Sequence, residues 1–371
     1  MSDDGFRSYH DMENIQKNAW LKAIQEHECV KQIWIMLEKI HGANFQFWTD
    51  GVTVRVGKRT SFIGEPYDVK FFDRSSSKDT TKTCDPRAGF FRADHIAALY
   101  SDNVKALHFE LFGDCHEAQR PIVIVYGEIF GGFYNNEIKK PWQRVQVEVQ
   151  YHPENKFMAF DIVTVDQKRE HFKTQYTNYD KCVELFERHK IPYVPVLFRG
   201  TFDEVYAKSQ STNADKTTIP TLLGLEDMKE PNIREGHVLK PVEPAYIGRD
   251  IVYIKDKNDK FTEVCKFKKS KPQSSETSYD IQEFLEAAPN YITSQRFANV
   301  ISKFGPVSLD GDIEKKILNE LNILFLTDAL KDLQKDLGHE LSGGDLKEVR
   351  KSITLKAFET AGRYCNWKPS S

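Results

Sequence analysis

The spacing of apolar residues divides the chain into two regimes. From residue 32 to about 270 the apolar positions come in short runs or alternate, which is the period of strands. "IWIMLEKI" (33–40), "PIVIVYGEIF" (121–130) and "KFMAFDIVTV" (156–165) read as buried strands. "NFQFW" and "VTVRV" alternate on either side of Asp50-Gly51, which predicts a hairpin. "VQVEVQY" (145–151) alternates too, and with "KFMAFDIVTV" it predicts a second hairpin turning at "HPEN". "REGHVLKP" (234–241) and "DIVYIKDKNDKFTEVCKFK" (250–268) add further strands. Helical spacing interrupts the strands at 88–113 and at 178–190, where Asn178 or Asp180 supplies the cap. Residues 74–87 are polar, rich in turn formers, and read as a loop.

A polar, Pro- and Ser-containing stretch over 269–278 reads as a linker. Beyond it the apolar positions recur at helical spacing in three segments, 280–305, 312–338 and 345–367. The expected fold class is therefore α+β. A mixed, mostly antiparallel sheet domain over 1–272, with helices packed outside, precedes a small all-helical domain over 279–371.

Composition narrows the class without naming a function. The chain has 371 residues, 40% of them apolar, ample for a sizeable core. No apolar run approaches the roughly 20 residues of a membrane helix, so no membrane partner is expected. The opening "MSDDGFRSYHDMENIQ" is polar and acidic, unlike a secretory signal, and the expected location is cytoplasmic or intracellular. The six cysteines include no C-x-x-C pair and read as reduced thiols. A net charge of -3 announces no nucleic-acid binder, so any such role needs a local basic surface. The lysine-rich stretch 254–271 is the candidate. A monomer is the expected state.

Candidate chemistry centres on Lys39, at the inner end of an apolar run with the turn former Gly42 just behind. An amine used as a nucleophile must shed its proton, which for a lysine of ordinary pKa costs roughly 4–5 kcal/mol at pH 7. A dry site or nearby cations reduce that cost. Lys266 and Lys268, two apart on a strand, share a face and suit a polyphosphate. Glu128 stands in an otherwise apolar strand just before Gly131-Gly132, and Glu235 precedes a glycine with Lys240 five residues on. Taken singly, each also fits an ordinary polar group near a strand end. No P-loop pattern occurs.

"EKIHGANF", "GKRT", "YGEIFGG", "FMAFDI", "EGHVLKP" and "KFKKSK" occur in this order. Together they resemble the ordered motifs of the covalent nucleotidyltransferases. More narrowly, they resemble the RNA ligase 2 family of the phage nick-sealing ligase and the kinetoplastid RNA-editing ligases. The likeness begins at "SYHDMENI", runs to about residue 272, and continues with "RFANVISKFG" in the helical domain. The stretch over 74–120 looks longer than the phage pattern, as an insertion would.

The resemblance implies an ATP-grasp-like ligase fold and a set of roles. Lys39 would attack the α-phosphate of ATP to form a lysyl-AMP. Glu38, Ile40, His41 and Asn44 would line the nucleotide. Arg59 would contact the nucleotide phosphate or the RNA end, Glu128 the ribose, and Phe160 would stack on adenine. Glu235 would hold a divalent metal, Mg2+ or Mn2+, through water. Lys240, Lys266 and Lys268 would contact phosphates. Arg296 and Asn299 would touch RNA, the expected partner, as a nicked duplex. The resemblance also implies a protein partner on the helical domain. The implied activity is an ATP-dependent RNA ligase joining 5′-phosphate and 3′-hydroxyl ends. A DNA ligase, a capping-type nucleotidyltransferase, and a scaffold that binds RNA through an inactive ligase fold are the alternatives.

Overall fold

The computed structural model describes residues 5–64, 89–113, 115–116, 120–166, 173–226, 228, 230–261, 281–305 and 315–364. They belong to two compact units, Met1–Asn258 and Asp259–Ser371. The linker expected at 269–278 and the loop expected at 74–87 lie outside the described residues.

The strands of the first unit form two five-stranded sheets, mostly antiparallel as expected. The first sheet contains β1 (Glu13–Asn14), β2 (Trp34–Glu38), β8 (Val196–Gly200), β9 (Gly236–Pro241) and β12 (Ile254–Lys257), in the order β1-β12-β9-β2-β8. The second contains β3 (Ala43–Thr49), β4 (Val54–Lys58), β5 (Ile122–Phe133), β6 (His152–Asp166) and β7 (Lys173–Tyr176), in the order β4-β3-β5-β6-β7. Every ladder is antiparallel except β1 with β12. A two-residue pair, β10 (Tyr246–Ile247) with β11 (Asp250–Ile251), stands apart.

Side-chain alternation sets the layers. One face of β3–β6 packs Phe45, Phe47, Val125 and Phe157 against α2 (Ala93–Phe112) and α3 (Tyr179–Arg188). On the first sheet, Trp34, Met36 and Leu239 pack against α1 (Asn18–Glu26) and α4 (Phe202–Thr212). The other face of the second sheet forms a third cluster, in which Trp48, Ile124 and Tyr126 are buried with Tyr9 and Tyr253. A short helix, α5 (Ile219–Leu222), precedes β9.

The first hairpin forms as expected, with Phe47 opposite Val56 and Asp50 Oδ1 accepting from the N–H groups of Val52 and Thr53. Asn178 proves to be the cap of α3, accepting from the Lys181 N–H. The second hairpin does not form. "HPEN" lies inside β6, whose ladder with β5 is irregular between Gly131 and Phe133, where Pro153 costs no regular ladder bond. "VQVEVQY" is irregular backbone.

The second unit contains α6 (Ile281–Ala287), α7 (Ser294–Phe304), α8 (Lys315–Leu337) and α9 (Gly343–Tyr364). They enclose a core of their own around Phe284, Phe297, Leu321, Phe325 and Ile353. Thr293 caps α7, and Gly305 and Gly338 follow α7 and α8 in positive-φ conformations that only glycine adopts freely.

Candidate active site

Lys39 lies where the chain leaves the first sheet for the second, in the turn 39–42 between β2 and β3. The β2–β9 ladder pairs Glu38 with His237, and the Lys39 N–H donates to the Gly236 carbonyl at 2.9 Å. That register brings Glu235 beside the lysine. Lys39 Nζ donates to Glu235 Oε2 at 2.8 Å, with the two side chains 18% and 2% exposed. Lys257 Nζ lies 3.2 Å from the other Glu235 oxygen, and His41 Nδ1 lies 3.4 Å from Oε2. Burial alone would raise the Glu235 carboxyl. Lys39, Lys257 and His41 overcome that and hold it well below the usual carboxylate range. Burial would likewise lower His41. Glu235, and Glu148 at 2.9 Å from Nε2, outweigh it and raise the imidazole.

Gly42 carries the chain into β3 with no room for a side chain. A Cβ there would lie 2.3 Å from the Ile129 carbonyl oxygen and 2.7 Å from Glu128 Cγ. One step on, Asn44 sits opposite Glu128 in the β3–β5 ladder. Burial pushes the Glu128 carboxyl up to about 7, Lys39 offsets part of this, and Glu235 adds to it. Asn44 Oδ1 is buried without a hydrogen-bond partner among the described residues, an acceptor that a ligand donor would satisfy. Phe160, half-buried on β6, meets Tyr9 edge-on at 4.8 Å. Arg59 pairs with Asp11 and keeps partial exposure. Turn 39–42 therefore joins an amine, a buried histidine, two carboxylates of opposite tuning and an unpartnered amide oxygen.

Several expected roles change. Lys240 was expected to contact phosphates, yet it is 2% exposed and its amine donates to Asp161 at 2.7 Å and to the Phe160 carbonyl at 3.1 Å. Tyr179 and Tyr253 flank it at 4.4 and 4.9 Å. It ties β9 to β6. Glu38 faces away from Lys39 and accepts from Thr217 Oγ1 and the Thr218 N–H, so it too is engaged internally. Ile40 is buried. Arg296 was expected to touch RNA. It is 0% exposed, donates to Asp328 and Asp332, and works as a buried strut of the helical unit. Asn299, one turn on, is half-buried. Lys266 and Lys268 lie outside the described residues. The neighbours expected around Lys39 were cations. Those actually described are Glu235, Glu128 and His41, with Lys257 one group away.

Two groups escaped the sequence. Lys257 belongs to the lysine-rich stretch, but only its pairing with Gly236 in the β12–β9 ladder singles it out. Glu148 sits in the run misread as a strand, and nothing in its spacing points to His41.

Comparison with known proteins identifies the family. A family model described as RNA ligase matches residues 32–257, and one described as T4 RNA ligase 2 C-terminal matches residues 275–358. The chain is 24% identical to the mitochondrial RNA-editing ligase 2 of Trypanosoma brucei brucei, over 98% of this chain and 91% of that protein. It is 25% identical to the mitochondrial RNA-editing ligase 1 of the same organism, over 94% of this chain and 80% of that one. Among solved structures, a Naegleria gruberi RNA ligase with PPi aligns at a TM-score of 0.42 and 15% identity, over 69% of this chain. The chain spans 57% of that ligase, less than two thirds of its length. With its sheet unit and much of its helical unit both matched, this chain belongs to the RNA ligase family.

Proposed function

We propose that this protein is an ATP-dependent RNA ligase that carries AMP on Lys39 and seals 5′-phosphate to 3′-hydroxyl RNA ends at duplex nicks. The observation that carries the reading is the shielded Lys39–Glu235 pair, fixed between two sheets beside Glu128 and the unpartnered Asn44 oxygen. In the first step the Lys39 amine bonds to the α-phosphorus and pyrophosphate leaves with the electrons of the broken P–O bond. The Lys39 ion pair must open for this, and the proton passes to solvent, because Glu235, held well below the usual carboxylate range, is too weak a base to keep it. AMP then passes to the RNA 5′-phosphate, and finally the neighbouring 3′-hydroxyl attacks that phosphate and expels AMP. Phe160 offers the adenine platform, Glu128 and Asn44 the ribose contacts. Arg59, Lys257, Lys266 and Lys268 would face phosphates.

ATP and a divalent cation are the cofactors of this reading. Among the described residues no group of three or more acidic, His or Cys side chains could cage a metal. Both Glu235 oxygens are engaged by Lys39, His41 and Lys257. Glu235 therefore fits a hydrated ion met through water, with the nucleotide phosphates as the other ligands. Such an ion would spread the charge that develops on the phosphates. In the helical unit, Asn299 remains a proposed RNA contact.

ATP labelled in the α-phosphate should transfer its label to wild-type protein and not to Lys39→Ala, and mass spectrometry should place adenylate on residue 39. Folded wild-type protein that takes no label would overturn the ligase reading in favour of an RNA-binding scaffold. Label from GTP in place of ATP would point to a capping-type enzyme. Sealing of all-DNA nicks as fast as RNA nicks would point to a DNA ligase.

A further inference from the structure

Three side chains from one irregular segment reach the turn that carries Lys39. Gln146 Nε2 donates to the Gly42 carbonyl at 3.2 Å. The His41 N–H donates to Tyr151 Oη at 2.8 Å. Glu148 Oε2 meets His41 Nε2 at 2.9 Å. Gln146 and Tyr151 are buried, while Glu148 keeps partial exposure. The segment is itself anchored at both ends by reciprocal amide bonds. Gln143 and Asn155 exchange an N–H donor in each direction, at 2.9 and 2.6 Å. Gln150 and Asn232 do the same at 3.0 and 2.6 Å. Between those anchors Val145 and Val149 are buried and hold the backbone down.

We propose that residues 143–151 form a strap that fixes the adenylylation turn, and that Glu148 and Tyr151 are positioning residues acting on Lys39 through His41. The link is continuous. Glu148 holds His41, His41 reaches Glu235 at 3.4 Å, and Glu235 holds the Lys39 amine at 2.8 Å. Removing Glu148 takes away the hydrogen bond that holds His41 Nε2. His41 then reorients, Glu235 follows, and the amine loses its fixed aim. Tyr151 secures the same histidine from its backbone, so the two residues act on one object. Neither needs to touch the nucleotide, and a nucleophile displaced by about 1 Å loses on the order of 100-fold in rate.

The proposal rests on Lys39 being the adenylylated residue, and labelling of the wild type checks that separately. The test is single-turnover adenylylation over a range of ATP concentrations, with thermal melting of each variant alongside. Glu148→Ala should lower the limiting rate by roughly 10- to 100-fold while the ATP concentration for half-maximal rate moves by less than about threefold. Glu148→Gln keeps an oxygen for His41 and should recover most of the rate. Tyr151→Phe should slow the same step, and Glu148→Ala/Tyr151→Phe should lose less than the product of the single losses, because the residues share a target. Equal slowing of the Ala and Gln variants, multiplying losses in the double variant, or a wild-type rate for Glu148→Ala would each overturn the proposal. If wild-type protein takes no label, the failure belongs to the ligase reading itself.

Discussion

Gly42 is the residue on which the turn's geometry depends most directly. Gly42→Ala must push the Ile129 carbonyl or the Glu128 side chain away, at a cost of about 1–3 kcal/mol. Because Glu128 is one of the atoms displaced, label transfer to Lys39 should fall further than a change of that size in stability explains, which quantitative labelling beside urea unfolding would show. Glu128 also sets a pH dependence. Its carboxyl titrates near 7 when folded and near its ordinary value when unfolded, so the folded protein holds the extra proton between the two. Stability should therefore fall as pH rises through that window, and Glu128→Gln should flatten the trend by about 1–2 kcal/mol in urea midpoints taken at pH 5 and pH 8. Glu235 has the opposite sign: its depressed carboxyl contributes stability above its unfolded pKa that is lost as pH falls through the folded one. Lys39, His41, Gly42, Asn44, Glu128 and Glu235 were legible because each stands in a quoted motif. The charges of Lys240 and Arg296 were legible too, but not their burial. Whether a cation meets water or Asp161 depends on which sheet face its strand turns inward.

The strands and helices were easier to read than their partners. The Asp50-Gly51 hairpin and the cap of α3 follow from local chemistry and form as local chemistry dictates. "VQVEVQY" shows where that reading stops. Alternation tells which side chains turn inward, not whether a free strand edge is available. β6, its expected partner, already lies between β5 and β7, so the segment alternates while making one backbone bond to Gly131 and otherwise bonding through side chains to a turn and to Asn232. Local caps should behave as independent parts. Thr201 and Glu204 form a capping box at the start of α4, remote from Lys39 in role. Thr201→Ala should lower stability by about 1 kcal/mol in chemical denaturation and leave label transfer at its wild-type rate.

At the scale of the whole chain, the helical unit owns its core: every buried residue around Leu321 comes from residues 284–361. Leu321→Ala should cost about 2–5 kcal/mol and shift one calorimetric transition while the other, and label transfer to Lys39, stay in place. The sheet unit has a different weakness. Lys39 and Glu235 belong to strands or turns of the first sheet, whereas Asn44, Glu128 and Phe160 lie on the second. On the proposed function, a nucleotide touching both sets would pin the two sheets together, and a covalent one would do so until it is discharged. Loading Lys39 with AMP should then raise the unfolding temperature of the sheet unit, and transfer of that AMP to RNA should return it to the unloaded value.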